Sequence, residues 1–150
     1  MNKLREKIFD WFLKRQAART VHIPNWKQVR SVAVLYPNNN IQHIIKQIEQ
    51  ADKDVVVFTM PEKQDICWLT ERPKKEILER ISARPFDILI DLSQEPSRTL
   101  QYMGMAIRAD FKVGRFMREG IHDLTIDTPS QAAPDYLFEQ ILRYIEMLKG

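Results

Sequence analysis

At residues 86–93 the chain reads Phe86-Asp87-Ile88-Leu89-Ile90-Asp91-Leu92-Ser93, and this stretch decides its fold class. It is a short apolar run with an aspartate near each end. The polar segment 94–97, which contains a proline and a serine, follows at once. Such a run is typical of a strand that is buried on both faces of a sheet and ends at a loop leading into a helix. The stretch therefore predicts a central strand of a parallel α/β sheet.

Four other short runs have the composition of strands. Two precede the central stretch and two follow it: Ser31–Tyr36, Asp54–Thr59, Phe111–Arg115 and Leu124–Asp127. The first two are rich in valine, which is enriched in strands, and the first stops at a proline. Between Met60 and Arg72 the pattern is less regular, and Cys67-Trp68-Leu69 is a candidate for a short edge strand.

Helical signals separate the strands. Isoleucines at positions 41, 44, 45 and 48 repeat at the spacing of one helix face. Pro73, Pro96-Ser97 and Pro134-Asp135 are residues that suit helix beginnings. Alternation of strands and helices favours parallel strands joined by right-handed crossovers, with helices on both faces. The predicted fold class is α/β, a three-layer Rossmann-like parallel sheet of four to five strands with an extra N-terminal amphipathic helix.

The N-terminal region differs from the rest. Residues 2–18 predict an amphipathic helix with aromatic and aliphatic residues on one side and lysine and arginine between them. Three roles are open: packing on the domain, pairing with a second copy as a homodimer, or lying on an anionic membrane surface. Residues 1–30 are therefore assigned to a basic helix and connector, and residues 31–150 to a single Rossmann-like α/β domain.

Composition excludes several classes of protein. Residues 1–30 carry eight Lys or Arg against two acidic residues, whereas the whole chain has a net charge of +3, so the domain itself is mildly acidic. We therefore expect no nucleic-acid partner. One cysteine, Cys67, fits a reducing cytoplasm, and no apolar run reaches the ~18 residues of a membrane span.

Familiar cofactor and metal motifs are missing. The four glycines are too far apart for a dinucleotide fingerprint or a P-loop, so no cofactor is predicted. His22, His43 and His122 have no ligand spacing, so no metal site is predicted and each is expected to be a surface or loop residue. The sequence has no nucleophile elbow, and we assign no catalytic residue.

Ligands of open parallel sheets bind beyond the carboxyl ends of the strands. Asp91 ends the central strand there, where it could accept a hydrogen bond from a ligand or bond the amides of the loop after it. Arginines at this edge could bind an anion, and asparagines could line a site or simply shape a turn. The candidate ligand-binding residues are Asp91, Ser93, Arg98, Arg115, Asn38 and Asn39.

Three segments resemble a known pattern: residues 86–92, Ser97-Arg98-Thr99-Leu100, and residues 109–115. Together they resemble the N-terminal, acceptor-side half of the heptosyltransferase-like glycosyltransferases, over roughly residues 31–116. The resemblance implies a Rossmann-like half-domain. Where that family has a Gly-Asp loop after its first strand, this chain has Pro37-Asn38-Asn39-Asn40, and the family's donor-binding second domain is not in the sequence. The chain also resembles small uncharacterised bacterial proteins of similar length.

The sequence is compatible with three functions. The first is a non-catalytic Rossmann-like binding or interaction module. The second is a sugar- or anion-binding domain, or an enzyme, related to the acceptor half of those glycosyltransferases. The third is a peripheral membrane protein attached through residues 2–18.

Overall fold

The structure is a computed structural model that describes residues 3, 6–9, 22–115, 121–129 and 131–148. Within residues 22–148, strands and helices alternate, and short 3-10 turns lie at Trp26–Gln28 and Lys63–Asp65. The strands and helices are β1 (Ser31–Leu35), α1 (Gln42–Gln50), β2 (Asp54–Phe58), α2 (Lys75–Ile81), β3 (Pro85–Asp91), α3 (Arg98–Ala106), β4 (Arg108–Arg115), β5 (Leu124–Ile126) and α4 (Pro134–Leu148).

The sheet has five parallel strands in the order β2-β1-β3-β4-β5. From β1 the chain moves to one side for β2 and then crosses to the other side for β3, so the strand order reverses between β1 and β3. This is the order of flavodoxin-like doubly wound sheets. The predicted fold class is confirmed, and the central position predicted for residues 86–92 is that of β3.

Helices cover both faces of the sheet and make three layers. Val34, Ile90 and Val113 pack with α1 and α4 on one face. Leu35 and Leu89 pack with α2 and α3 on the other. Because neighbouring residues of a strand point to opposite faces, the apolar run of β3 supplies both cores at once.

Helix α3 is positioned by its first and last residues. Ser97 Oγ accepts a hydrogen bond from the Leu100 amide at 3.3 Å and so caps the N-terminus. At the other end, Lys112 Nζ from β4 donates to the carbonyls of Gly104 and Met105 at 2.8 and 3.2 Å. The Lys112 side chain is buried, so its charge is placed where the helix dipole favours a cation.

The described part of the N-terminal helix packs on the domain. Residues 6–9 are helical, and Phe9 is fully buried in a cluster with Tyr102 and Met105 of α3. The Phe9 and Tyr102 rings meet edge to face, with centroids 5.3 Å apart. Residues 2, 4, 5 and 10–18 of the predicted helix lie outside the described residues. No helix in the described ranges is both long enough and apolar enough to cross a membrane.

The connection between β2 and α2 differs from the sequence interpretation. Cys67-Trp68-Leu69 does not form an edge strand; the segment is a turn closed by a single antiparallel bridge between Ile66 and Pro73. Helix α2 accordingly begins at Lys75 and not at Pro73. The pairing has a local cause, because the Lys74 amide donates to the Asp65 carbonyl at 2.8 Å.

Candidate functional site

A pocket opens at the carboxyl edge of the sheet, between the loops that follow β1 and β3. Its volume is about 350 Å³. Its position is the point where the strand order reverses, which is where doubly wound proteins bind their ligands. It is lined by Tyr36, Pro37, Asn38, Met60, Gln94, Glu95, Pro96, Ser97 and Leu100.

Asp91 lies behind this pocket and does not line it. Its side chain is almost fully buried, and Oδ1 accepts a hydrogen bond from the Ser93 amide at 2.9 Å. The interpretation of Asp91 as a residue that bonds loop amides is therefore confirmed. Its other oxygen, Oδ2, is 3.0 Å from Nε2 of His122, whose side chain is 1% exposed. His122 is a loop residue, as the prediction of a surface or loop position allows, but its side chain is buried, whereas His22 and His43 are exposed.

Gly114 makes room for this pair. It is the β4 neighbour of Asp91 in the sheet register. A Cβ atom on Gly114 would lie 2.7 and 2.8 Å from Cε1 and Nε2 of His122, and 3.0 Å from Cβ of Asp91. These separations are too short for any side chain, so a glycine at the end of β4 is what allows His122 to reach Asp91.

Arg115 is buried and joins two loops beside the pocket. Its guanidinium donates to the carbonyl of Gln94 at 2.9 Å and to the carbonyl of Ala132 at 3.4 Å. Gln94 is held further, since its amide donates to Ala132 and its side-chain oxygen accepts from the Tyr36 hydroxyl. Burial lowers the pKa of Arg115, and the nearby Asp91 carboxylate acts in the opposite direction. Arg115 therefore holds Gln94, a residue of the pocket wall, next to the loop that contains Ala132.

Arg98 serves the N-terminal segment. Its guanidinium pairs with Glu6 and with Glu71, the latter at 3.4 Å, and lies 5.0 Å from the centroid of the Phe9 ring. Arg98 does not line the pocket, although it follows Ser97, which does. These contacts use the charge of Arg98 to fasten residues 6–9 to α3.

Of the three remaining candidates, Asn38 lines the pocket and Asn39 and Ser93 do not. Asn38 lines the pocket, and its Oδ1 accepts from the Asn40 amide at 2.8 Å, which confirms its role in shaping the turn. Asn39 is exposed and its side chain does not line the pocket, nor does the buried Ser93. Of the six predicted site residues, only Asn38 lies in the pocket wall.

The candidates named from sequence include little of the pocket wall. Met60 and Leu100 are apolar and carry no signal of a polar site, and the loop that leads into α3 is enough to explain Gln94 and Ser97. The signal that the sequence does contain is positional, because Met60 follows the end of β2, and Gln94 and Ser97 follow the end of β3. Within the described residues, no three His, Cys, Asp or Glu side chains are grouped closely enough to hold a metal ion.

The fold and its edge pocket define a doubly wound α/β protein with a ligand-sized crevice at the switch point of its sheet. Comparison with protein families then places the chain: it belongs to the family of unknown function DUF6913, whose model matches residues 2–148. No curated protein and no solved structure matches the chain.

Proposed function

We propose that the protein is a non-catalytic binding module that takes a small, uncharged polar ligand in the pocket between the β1 and β3 loops. The observation that carries the proposal is the pocket itself, at the switch point of a doubly wound sheet. A volume of about 350 Å³ is in the range of small-molecule sites.

The chemistry of the wall favours an uncharged ligand over an anion. Among the described residues, Glu95 is the one charged side chain of the wall, and no described lysine or arginine lines it. Asn38 keeps its amide hydrogens for a ligand, because its bond to Asn40 uses only Oδ1. Ser97 likewise accepts from Leu100 through Oγ and retains its own hydroxyl hydrogen.

Apolar atoms complete the wall. Met60, Leu100 and Pro96 offer carbon surface beside these polar groups. Hydroxyl groups on one side and C–H groups on the other describe a monosaccharide. A sugar ligand would also agree with a relation to the acceptor half of the heptosyltransferase-like glycosyltransferases, which we include in the proposal, together with a cytoplasmic setting in a bacterium.

The hydrogen bonds of Asp91 and Arg115, which lie behind the pocket, favour a binding role over catalysis. Asp91 is bonded to the Ser93 amide and to His122, and Arg115 is bonded to two backbone carbonyls. Neither side chain lines the pocket. A general base or an anion clamp has to reach its substrate, and both of these groups are buried and committed to protein partners.

The experiment is a thermal-shift screen against neutral sugars, polyols, nucleosides, sugar phosphates and inorganic phosphate. A ligand at about 100 times its dissociation constant stabilises the folded state by about 2.7 kcal/mol, which raises the melting temperature by several degrees. We expect shifts with neutral sugars or polyols. Shifts with phosphates alone would show that the uncharged class is wrong, and no shift with any compound would count against a binding pocket.

Two neighbouring asparagines give a matched test of the location. Asn38→Asp keeps the Oδ acceptor for the Asn40 amide but replaces the amide donor with a carboxylate facing the pocket. Asn39→Asp adds the same charge outside the wall. The thermal shift should disappear in the Asn38 variant and persist in the Asn39 variant; equal behaviour would place the ligand elsewhere.

A further inference from the structure

The outward face of α4 exposes an unusual amount of apolar surface. Among the described residues, four of the seven large apolar or aromatic side chains that are exposed lie on this helix, and they are Tyr136, Tyr144, Met147 and Leu148. Met147 is 68% and Tyr136 49% exposed. Single exposed apolar residues are normal on protein surfaces, but a group on one helix face marks a contact surface.

The order of residues along this face is symmetric. Tyr136, Gln140, Arg143 and Met147 follow one another at spacings of four, three and four, which places them in one stripe along the helix. The midpoint of the stripe lies between Ile141 and Leu142. The apolar residues are thus at its two ends and the polar residues at its centre.

We propose that α4 pairs antiparallel with α4 of a second copy of the chain, about a two-fold axis at the level of Ile141 and Leu142. In an isologous contact, residue i meets residue j of the copy, and j meets i. The symmetry of the stripe then places Tyr136 opposite Met147 of the second copy. It also places Gln140 opposite Arg143 of the second copy. Apolar side chains therefore contact apolar side chains, and polar side chains contact polar ones.

Charge complementarity supports the same pairing. Glu139 lies beside the stripe. In the antiparallel pair, Arg143 of the second copy lies opposite Gln140, which is the next residue after Glu139. Glu139 and that arginine also lie on the same side of the two helices. Within one chain, Glu139 and Arg143 are 3.9 Å apart and remain 69% and 63% exposed. Both charges are therefore available to a partner helix. The two-fold axis creates two such Glu–Arg contacts.

The contact is small. A 15-residue helix is about 22 Å long, and packed helices lie about 8–10 Å apart. One helix from each copy gives an interface in the lowest size class, below about 1,200 Å². We therefore expect a dimer that forms and dissociates with micromolar affinity.

Sedimentation equilibrium over a concentration series up to about 0.5 mM tests the proposal in the affinity range expected. The wild-type protein should approach twice its 17.8 kDa monomer mass. Arg143→Glu and Glu139→Arg should each be monomeric, because like charges then face each other across the axis. An equimolar mixture of the two variants should regain the dimer mass, since each supplies the charges that the other lacks.

The mixture is also the control for folding, because misfolded variants would not restore a dimer. Glu79→Arg is the matched surface control, since Glu79 and Lys75 form an equally exposed i,i+4 pair on α2. That variant should dimerise like the wild type. A wild-type protein that stays monomeric overturns the proposal. So does a dimer that survives both single variants, or a mixture that remains monomeric.

Discussion

Asp91 and His122 form a buried pair that ties the end of β3 to the segment before β5. His122 Nε2 lies 3.0 Å from Asp91 Oδ2, and the side chains are 1% and 2% exposed respectively. The second Asp91 oxygen holds the Ser93 amide, so the pair also positions the first residues of the β3–α3 loop. That loop continues into the pocket wall at Gln94. The pair is therefore part of the support of the proposed binding site.

Removal of the His122 imidazole should lower the free energy of unfolding. Of the two hydrogen-bond partners that the buried Asp91 carboxylate has among the described residues, His122→Ala leaves only the Ser93 amide, and it empties the space that the ring filled. Loss of one member of a buried polar pair costs at least about 2 kcal/mol. Urea unfolding followed by circular dichroism measures this. His43→Ala is the matched control, because His43 pairs with Asp135 on the surface, and its loss should cost less than about 1 kcal/mol. Equal effects of the two substitutions would contradict the structural role of His122.

Gly114→Ala should destabilise the protein although it adds only one methyl group. The new Cβ would lie under 3 Å from the His122 ring, and overpacking of this kind costs about 1–3 kcal/mol. Gly104→Ala is the control: its Cβ would be 3.5 Å from Leu35 Cδ2, an ordinary contact, and alanine is favoured inside α3. Thermal unfolding should show a lower melting temperature for the first variant and an unchanged or higher one for the second.

The effects of His122→Ala and Gly114→Ala on stability should be coupled. In the His122→Ala background the ring that clashes with a Cβ at position 114 is gone, so Gly114→Ala should cost less than it does in the wild-type protein. The coupling free energy of contacting residues is about 0.5–3 kcal/mol. A double-mutant cycle of unfolding free energies measures it. Additive effects would mean that Gly114 and His122 do not share this space.

The strands and the start of α3 could be predicted because their signals are local. The apolar run of β3 identifies a strand buried on both faces, and Ser97 after a proline identifies a helix N-cap. The candidate edge strand at Cys67-Trp68-Leu69, which the sequence left open, does not form. Its composition suits a strand, but the Ile66–Pro73 bridge closes the segment into a turn before a ladder can form.

The site itself depends on contacts that no local pattern contains. Asp91 and His122 are 31 residues apart, and they meet only because β3, β4 and β5 pair in one register and Gly114 has no side chain. Similarly, Arg115 has the positive charge expected of a residue that binds an anion, but in the fold its guanidinium donates to the carbonyls of Gln94 and Ala132. Sequence can place such residues at an edge, but it cannot show which partner each one takes.

Arg98→Ala should loosen the N-terminal segment selectively. Arg98 pairs with Glu6 and Glu71 and lies over the Phe9 ring, so its truncation removes the polar fastening of residues 6–9. We expect a loss of about 1–2 kcal/mol and faster hydrogen exchange in the N-terminal peptide. Exchange in β1 and β3 should change much less. Arg108→Ala is the control, because this exposed arginine, within the described part of the chain, makes one long side-chain bond of 3.5 Å to the Ser82 carbonyl. Unchanged exchange in the N-terminal peptide would contradict this role.

Cys67 should react as a thiolate at lower pH than an ordinary cysteine. A hydrogen bond from the Thr70 side chain, with further bonds from the Thr70 and Leu69 amides, lowers the pKa of the thiol, and burial opposes them only in part. In the unfolded chain the thiol keeps its proton to a higher pH. Unfolding therefore takes up a proton between the two pKa values, and stability rises with pH in that window.

Alkylation by iodoacetamide measures this pKa directly, because Cys67 is the sole cysteine of the chain. The pH midpoint of the rate should lie below the pKa of a free cysteine thiol, which is about 8.5. Thr70→Val removes the hydroxyl donor and should move the midpoint upward, whereas Thr70→Ser retains the donor and should leave it near the wild-type value. A wild-type midpoint no lower than about 8.5, or the same midpoint in the valine and serine variants, would show that Thr70 does not stabilise the thiolate.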